Sequence, residues 1–483
     1  MANAKPLSPE AHVAHYVASV KNNTRHLPDK TSKGPIWSLG VRLKWLRELR
    51  KAMQARKQDI VDAISKDKAR NPFYAVLSEY KVMLNLCDYY IREGAWFLGG
   101  EDISNSKFSM LSGNKKSFLE QEPYGVFGII SPGNYPFSLP MGAIVPALLA
   151  GNGVVWKPSP GTENTAAVIY ELIRDTLARH CGIWMPFAVI KLEAEYGQAL
   201  VSCKDVDKIH FTGSVEAGRW IAVENAKVRP FTAPVIEGGG SNPAIVLADA
   251  DIDMTAKVIV WSRFVAMSCN NIKRVYAAAP VFRKLVKALK HELSQVKTSE
   301  IEALLPGEAD RYRKFVEDYV AKCPDIAKEE GIEAGRFVPY ILLVEDSSID
   351  LLVLKQETFV PLLPVVHVDL EKENVAELVN RSDFGLGASI FTRDKNKFRA
   401  LAKKLDCTVV LHNDAMTEFA MPQVPFGGRK NSGIGYTHGI AGLREFVRPK
   451  TIIEERWNAP KLQLFPWTPG KVKWLTKFID ILR

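Results

Sequence analysis

The chain has 483 residues, 47% hydrophobic and 24% charged, an ordinary globular composition too long for one core and suited to two or three domains. Six cysteines with no Cys-x-x-Cys pair argue against a disulfide framework or a zinc site, and no apolar run reaches the roughly 18 residues of a membrane span. The net charge of +10 raises nucleic acid or an anionic membrane as partners, but the basic residues are mostly dispersed, and the aromatic–basic interleaving of a nucleic-acid module is lacking.

The N-terminus "MANAKPLSPEAHVAHY" has no apolar secretory core, and with the unpaired cysteines this predicts a cytoplasmic protein. Leu46, Leu49, Met53 and Ile60 recur at helical spacing and predict one long helix from Gly40 to Ser65. A second helical stretch covers Leu77–Leu98. "SFLEQEPYGVFGIISP" reads as strands ending at Pro132, and "GAIVPALLAGNG" as a helix stopped by Gly-Asn-Gly. Strand and helix then alternate through "GVVWKPSP", "NTAAVIYELIRDTL", "FAVIKL", "KIHFTGSVEAGRWIAVENA" and "APVIEGGGSNPAIVLADA". This order predicts an α/β fold with a doubly wound parallel sheet. After Asp251 the alternation resumes with "RVYAAA", "PVFRKLVKALKHEL", "LLPVVHV", "ASIFT" and "TVVLHN", which predicts a second α/β domain. Thr298–Arg336 reads as superficial helix, and Val424–Gly442 as a long Gly-rich loop of the kind that carries function. In the tail, Val472, Leu475, Ile479 and Leu482 form a stripe with Phe478 beside it and Lys471, Lys473 and Lys477 flanking it. Such a helix suits a membrane interface or the surface of a dimer partner.

Four remote segments place reactive groups at strand ends. "SPGNYPF" carries Asn134, "KPSP" carries Lys157, "FTGSVEAG" opens a helix with Gly213 and Gly218, and "EGGG" carries Glu237. Cys269 follows an apolar run in "WSRFVAMSCNNIKRVY". A lone cysteine is more often a core thiol than a nucleophile. Together with a carboxylate and an amide donor, however, it meets the needs of acyl chemistry on a thiol. The thiolate attacks a carbonyl carbon, Asn134 donates to the developing oxyanion, and Glu237 takes a proton from water to release the acyl group. A nicotinamide could accept hydride between those steps. His210 and His438 lack metal-ligand spacing and are expected to be structural or satisfied by backbone. Met416, Phe419 and Met421 would give an apolar wall for substrate.

The motifs "SPGNYPF", "GNGVVWKPSP", "IHFTGS", "IEGGGSNPAIV", "QETFVPLLPV", "GLGASIFT" and "PFGGRKNSGIGYTHG", in this order over nearly the whole chain, resemble the aldehyde dehydrogenase superfamily. The late loop and tail resemble its class 3 and fatty aldehyde dehydrogenase branch. The resemblance implies a Rossmann-like cofactor domain (residues 1–109 and 126–237), a catalytic α/β domain (238–425), a bridging β segment used in homodimers (110–125 and 443–456) and a C-terminal amphipathic tail (457–483). It implies Cys269 as nucleophile, Glu237 as general base and Asn134 as oxyanion donor. It also implies NAD or NADP as cofactor, held by Lys157, Ser159, Gly213, Ser214, Gly218, Glu357 and Phe359, and a medium- or long-chain aliphatic or aromatic aldehyde as substrate.

Several positions depart from the family pattern. Gly133 stands where Trp is usual, Gly238 and Ser241 where Leu and Lys are, Val360 where Gly is, and Arg429 where a small apolar residue is. Pro160 replaces the carboxylate that grips the adenosine ribose, which predicts NADP tolerance or weaker cofactor binding. Cys269 follows Trp261 by eight residues, two fewer than the pattern, so counting forward without a gap puts Asn271 at the nucleophile position. Either register loses the Asn-x-Gly-Gln loop. Two expectations follow: an NAD(P)-dependent aldehyde dehydrogenase with a rebuilt site, or a scaffold that has lost oxidation and serves another carbonyl reaction or a binding role.

Overall fold

The structure is a computed structural model that describes residues 7–25, 37–68, 70–104, 115–181, 185–266, 268–297, 308–333, 338–458, 461 and 464–481. It divides into two units, one of residues 1–98 and 122–448, the other of residues 99–121 and 449–483. The smaller unit therefore begins earlier than the expected bridging segment at 110–125 and takes in the tail.

The larger unit contains two six-stranded sheets. Across the first, the strands run Gly433–Ile434, Val235–Glu237, Lys208–Thr212, Val126–Ile130, Gly153–Lys157 and Phe187–Val189. All neighbours are parallel except the short antiparallel edge Gly433–Ile434. "VFGII" and "GVVWK" are buried at every residue, as parallel strands covered on both faces must be. Helices Ser138–Ala150 and Glu163–Cys181 belong to the core on one face, and helices Pro9–Arg25, Ala194–Ser202 and Val215–Val228 to that on the other. Chain order reverses between Val126–Ile130 and Lys208–Thr212. That reversal is the switch point at which doubly wound sheets open a crevice beyond the carboxyl ends of their strands.

The second sheet runs Tyr340–Val344, Leu362–Val368, Ile272–Ala278, Asn242–Val246, Gly387–Phe391 and Val409–His412, all parallel. Helices Ile252–Val260 and Phe282–Gln295 contribute to the core on one face, and Glu308–Lys322 and Val375–Asn380 to that on the other. The described part of Thr298–Arg336 is largely helical as read but not superficial, because Tyr312, Phe315, Val316 and Tyr319 at helical spacing are buried in the core; 298–307 and 334–337 lie outside the described residues.

The single helix expected over Gly40–Ser65 is two helices, Leu39–Ala55 and Lys57–Lys68. The break falls at Arg56, whose φ of −105° and ψ of 28° leave the helical region while its guanidinium binds Asp59 and Glu171. Apolar spacing continues across the break, so periodicity could not reveal it.

The smaller unit holds a three-stranded sheet of Glu101–Asp102, Lys115–Pro123 and Val447–Glu455, and the tail helix Pro469–Ile481. Val472 and Trp474 on that helix are exposed, and Leu475 is half-buried. The side chains of Phe478 and Ile479, and Leu482 altogether, lie outside the described residues. Among the described residues no helix is long and apolar enough to cross a membrane.

Candidate active site

Four strands of the first sheet end on one cleft of about 760 Å³. Pro132, Gly133 and Asn134 follow Val126–Ile130, Ser159 and Pro160 follow Gly153–Lys157, Gly213 and Ser214 follow Lys208–Thr212, and Gly238 and Gly239 follow Val235–Glu237. Ser214 caps the 14-residue helix Val215–Val228, its Oγ accepting from the Ala217 N–H. A helix N-terminus at a switch point offers N–H groups to a phosphate. Glu357 and Phe359 stand on the same wall as Cys269. The Gly240 N–H donates to Glu357 at 3.0 Å, and a Cβ added at Gly239 would run into the Glu357 carboxylate. These residues fit a dinucleotide: a long polar cleft, a capped helix start and a carboxylate held at the end where the thiol lies.

Two expected cofactor contacts do not line this cleft. Lys157 is buried at its strand end and its stem runs 3.3 Å from where a Gly197 Cβ would sit. Gly218 lies inside the helix, where a Cβ would press on Ile236 at 3.0 Å, so it serves close helix–sheet packing.

Cys269 precedes the strand Ile272–Ala278 and borders two further cavities. One, about 220 Å³, is walled mainly by apolar side chains, among them Tyr135, Leu139, Trp261, Met416 and Phe419, with Asn134 at the edge it shares with the cleft. Met421 does not line it and is 41% exposed, so the expected apolar wall is shorter by one residue. The other cavity, about 10 Å³, brings Glu237 beside the thiol. Asn271, the other candidate register, is buried and borders none of these three cavities.

The shortened approach to Cys269 is rebuilt locally. Helix Ile252–Val260 ends in a wider turn, Trp261–Val265, made of i→i+5 bonds. From that turn Arg263, fully buried, donates to the carbonyls of Thr358, Val360 and Leu362 and so holds the loop that carries Glu357. Lys273, also fully buried, donates to the carbonyls of Ser268 at 3.0 Å and Cys269 at 2.7 Å, and lies 3.8 Å from the Glu357 carboxylate. Its ammonium sits 5.2 Å from the Phe359 ring centre. Asn270 donates to Glu418 at 2.8 Å and accepts from Ser268 Oγ at 2.5 Å.

Asn134 is positioned from a distance. Arg70 donates to its carbonyl at 2.8 Å and pairs with buried Glu79 at 2.8 Å. Glu79 in turn accepts the N–H groups of Phe137 and Ser138, the otherwise unpaired start of the next helix. None of Arg70, Glu79, Arg263 or Lys273 emerges from motif reading. A carboxylate in the apolar stretch "VLSEYKVML" and a Lys-Arg pair opening a buried strand were the available signals.

Electrostatics at the site are dominated by burial. Burial pushes the Cys269 thiol up to about 12, Lys273 draws it down, and Glu357, Glu237 and Glu418 push it higher. Burial raises Glu237 well above the usual carboxylate range, Glu445 adds repulsion, and Thr437 offsets part of it. Burial lowers Lys273 to about 8 against the pull of Glu357.

The sequence profile described as the aldehyde dehydrogenase family matches residues 28–452. The chain belongs to the aldehyde dehydrogenase family. It is 30% identical over 455 residues to the 4,4'-diapolycopene aldehyde oxidase of Methylomonas sp, covering 91% of this chain and 83% of that one. It is 32% identical over 342 residues to the vanillin dehydrogenase of Corynebacterium glutamicum, covering 68% and 69%. The crystal structure of the NADP-dependent glyceraldehyde-3-phosphate dehydrogenase of Bacillus halodurans C-125 complexed with NADP superposes with a TM-score of 0.78 at 26% identity, covering 93% of this chain and 92% of that one. The protein is thus an oxidoreductase of the aldehyde dehydrogenase family, with that family's α/β fold.

Proposed function

We propose that the protein oxidises an apolar aldehyde to its carboxylic acid with NAD(P)+, through a thiohemiacetal and then a thioester on Cys269. The observation that carries this reading is the placement of Cys269 on the wall shared by the dinucleotide-sized cleft and the apolar cavity. The aldehyde carbon meets the thiol from the apolar side, and the Asn134 amide faces the carbonyl oxygen as charge develops there. Lys273 steadies the thiol backbone and eases thiolate formation. Glu357, Phe359, Ser214, Gly213 and Ser159 would hold the cofactor, which supplies hydride acceptance when bound. Glu237 in its ionised form takes a proton from water in thioester hydrolysis.

The cavity lining supports aliphatic chains and aromatic rings over charged or sugar-like substrates. This accords with the resemblance of the late loop to the class 3 and fatty aldehyde branch, and with the relatives named for a polyene aldehyde and for vanillin. The tail helix exposes Val472 and Trp474 among Lys471, Lys473 and Lys477, which suits an anionic membrane surface or the same surface of a second chain in a homodimer. Liposome flotation of the full chain against one ending at Pro466 separates these two occupants.

The test is direct. Purified protein with NAD+ or NADP+ and a series of aldehydes from hexanal to hexadecanal, plus benzaldehyde, is expected to raise absorbance at the reduced-cofactor band. Cys269→Ser is expected to abolish the rise. Activity with none of these aldehydes would leave the scaffold as a carbonyl-binding protein that has lost oxidation.

A further inference from the structure

The 10 Å³ cavity beside Cys269 is walled by five buried polar side chains: Ser138, His210, Glu237, Thr437 and His438. Among the described residues, Ser138 Oγ, both ring nitrogens of His210, both carboxylate oxygens of Glu237 and Nδ1 of His438 lack a hydrogen-bond partner of normal geometry. The two histidines were expected to be structural or satisfied by backbone, and neither His210 ring nitrogen nor Nδ1 of His438 finds a backbone partner of normal geometry. A buried polar group left unpaired loses its solvation without compensation, so six such atoms around one cavity call for a shared partner. A cavity of roughly this size holds about one water, and a polar wall with several partners is what such a water needs.

The ring of His210 is fixed. It lies on the buried strand Lys208–Thr212 and stacks against Phe446 with ring centres 5.9 Å apart and planes 15° from parallel. Burial and the neighbouring Lys208 hold it at about 3, so the imidazole is neutral and keeps one nitrogen free to accept. His438 is held on the opposite terms of backbone: φ of 60° and ψ of 164°, a region that favours glycine, with its carbonyl tied to the Gly442 N–H at 2.8 Å. Strain of that kind persists where the surroundings over-determine a side-chain position.

Hydrolysis of a thioester sets three demands on the attacking water. One O–H must reach a base, a lone pair must face the acyl carbon, and the second O–H needs an acceptor that does not itself take the proton. We propose that this chamber holds the hydrolytic water and that His210 positions it, accepting the second O–H while Glu237 takes the first. The water oxygen bonds to the acyl carbon, its proton passes to Glu237, and the C–S bond breaks, returning the electron pair to the Cys269 sulfur and releasing the acid. Ser138 and His438 complete the water's surroundings. The inference rests on the Cys269 thioester reading and deepens it, because it assigns part of the release step to a strand residue to which the family resemblance gave no role.

The experiment acylates Cys269 with p-nitrophenyl octanoate, which needs neither cofactor nor hydride transfer. Nitrophenolate absorbance gives the acylation rate, and intact-protein mass gives the loss of the octanoyl adduct after excess ester is removed. His210→Phe is expected to acylate at the wild-type rate and to lose the adduct about tenfold to a hundredfold more slowly, the scale of a misplaced reacting group. His210→Gln, which restores an acceptor, is expected to recover most of that loss, and His210→Met gives the apolar reading should Phe not be accommodated. Adduct loss at the wild-type rate in both apolar variants overturns the proposal. Acylation slowed as much as adduct loss also overturns it, since that marks a structural role. A wild-type chain that forms and loses the adduct but never reduces NAD(P)+ refutes the oxidation reading and leaves this one standing; a chain that forms no adduct refutes both.

Discussion

The Lys273 ammonium donates to the carbonyl oxygen of Cys269 at 2.7 Å while lying 3.8 Å from the carboxylate of Glu357. One buried cation thus links the thiol loop to the carboxylate on the cofactor wall. A positive charge beside a thiol favours the thiolate, so Lys273→Met is expected to push the Cys269 thiol pKa further up and to slow its alkylation by iodoacetamide at least tenfold at pH 8. Lys273 itself sits at about 8, so its help is complete below that pH and fades above it. The ratio of wild-type to Lys273→Met alkylation rates should therefore shrink between pH 7 and pH 9.5. A ratio independent of pH would assign Lys273 to bracing alone.

Arg70 and Glu79 form a buried ion pair whose outer hydrogen bonds fix the Asn134 loop. Removing one partner leaves an uncompensated buried charge, which costs about 3–5 kcal/mol, whereas removing both costs less. Arg70→Met is expected to lower the urea midpoint sharply, and the Arg70→Met/Glu79→Met pair is expected to recover much of it. Turnover should stay impaired in the double variant, because the Asn134 carbonyl has still lost its donor. Additive destabilisation in the double variant would contradict the pairing.

Much of the scaffold was legible because parallel strands buried on both faces write themselves as unbroken apolar runs. "VFGII", "GVVWK" and "LLPVVHV" are strands for that reason. Glu237 and Asn134 were legible as chemistry-bearing types at strand ends and Cys269 as a thiol between an apolar run and a strand, and the fold places Cys269 on a common wall with each of the other two. What escaped reading acts at long range. Arg70 holds Asn134 from 64 residues away and Arg263 holds the Leu362 carbonyl from 99, and neither leaves a local pattern. The register of the thiol was undecidable from spacing alone, because a two-residue gap can be absorbed anywhere along a turn. The i→i+5 turn at Trp261–Val265 is part of that rebuilt approach.

Glu418 lies buried behind Asn270, and burial raises it to about 7, with the Asn270 amide offsetting part of that. Its folded pKa exceeds the ordinary carboxylate value, so the folded state binds the extra proton more tightly than the unfolded chain. Stability associated with this group is therefore full below about pH 4.5 and is lost as pH rises through about 7. Glu418→Gln removes that loss. Urea unfolding should find the variant equal to wild type near pH 4.5 and more stable by up to about 3 kcal/mol at pH 8.5. A variant that is less stable at pH 8.5 would show that the ionised carboxylate is itself a needed partner.

Pro160 borders the cleft beside Ser159 and Gly133, with the Lys68 ammonium 3.3 Å from where a Gly133 Cβ would sit. That corner pairs a cation with a residue that carries no charge, where the family pattern has a carboxylate. A 2′-phosphate placed there would not meet the repulsion of a carboxylate at position 160, so the wild-type chain is expected to bind NADP as well as NAD. Pro160→Glu introduces a like charge. One unit-charge repulsion at about 4 Å is worth between about 1 and 4 kcal/mol, depending on how much water screens it. Titration of protein fluorescence with each cofactor should then show NADP binding weakened about tenfold or more, with NAD binding unchanged or tightened by a new ribose contact. Equal weakening of both would mean that the substitution distorts the loop after Gly153–Lys157 rather than acting through charge. No effect on either would move the adenosine end of the cofactor away from this corner.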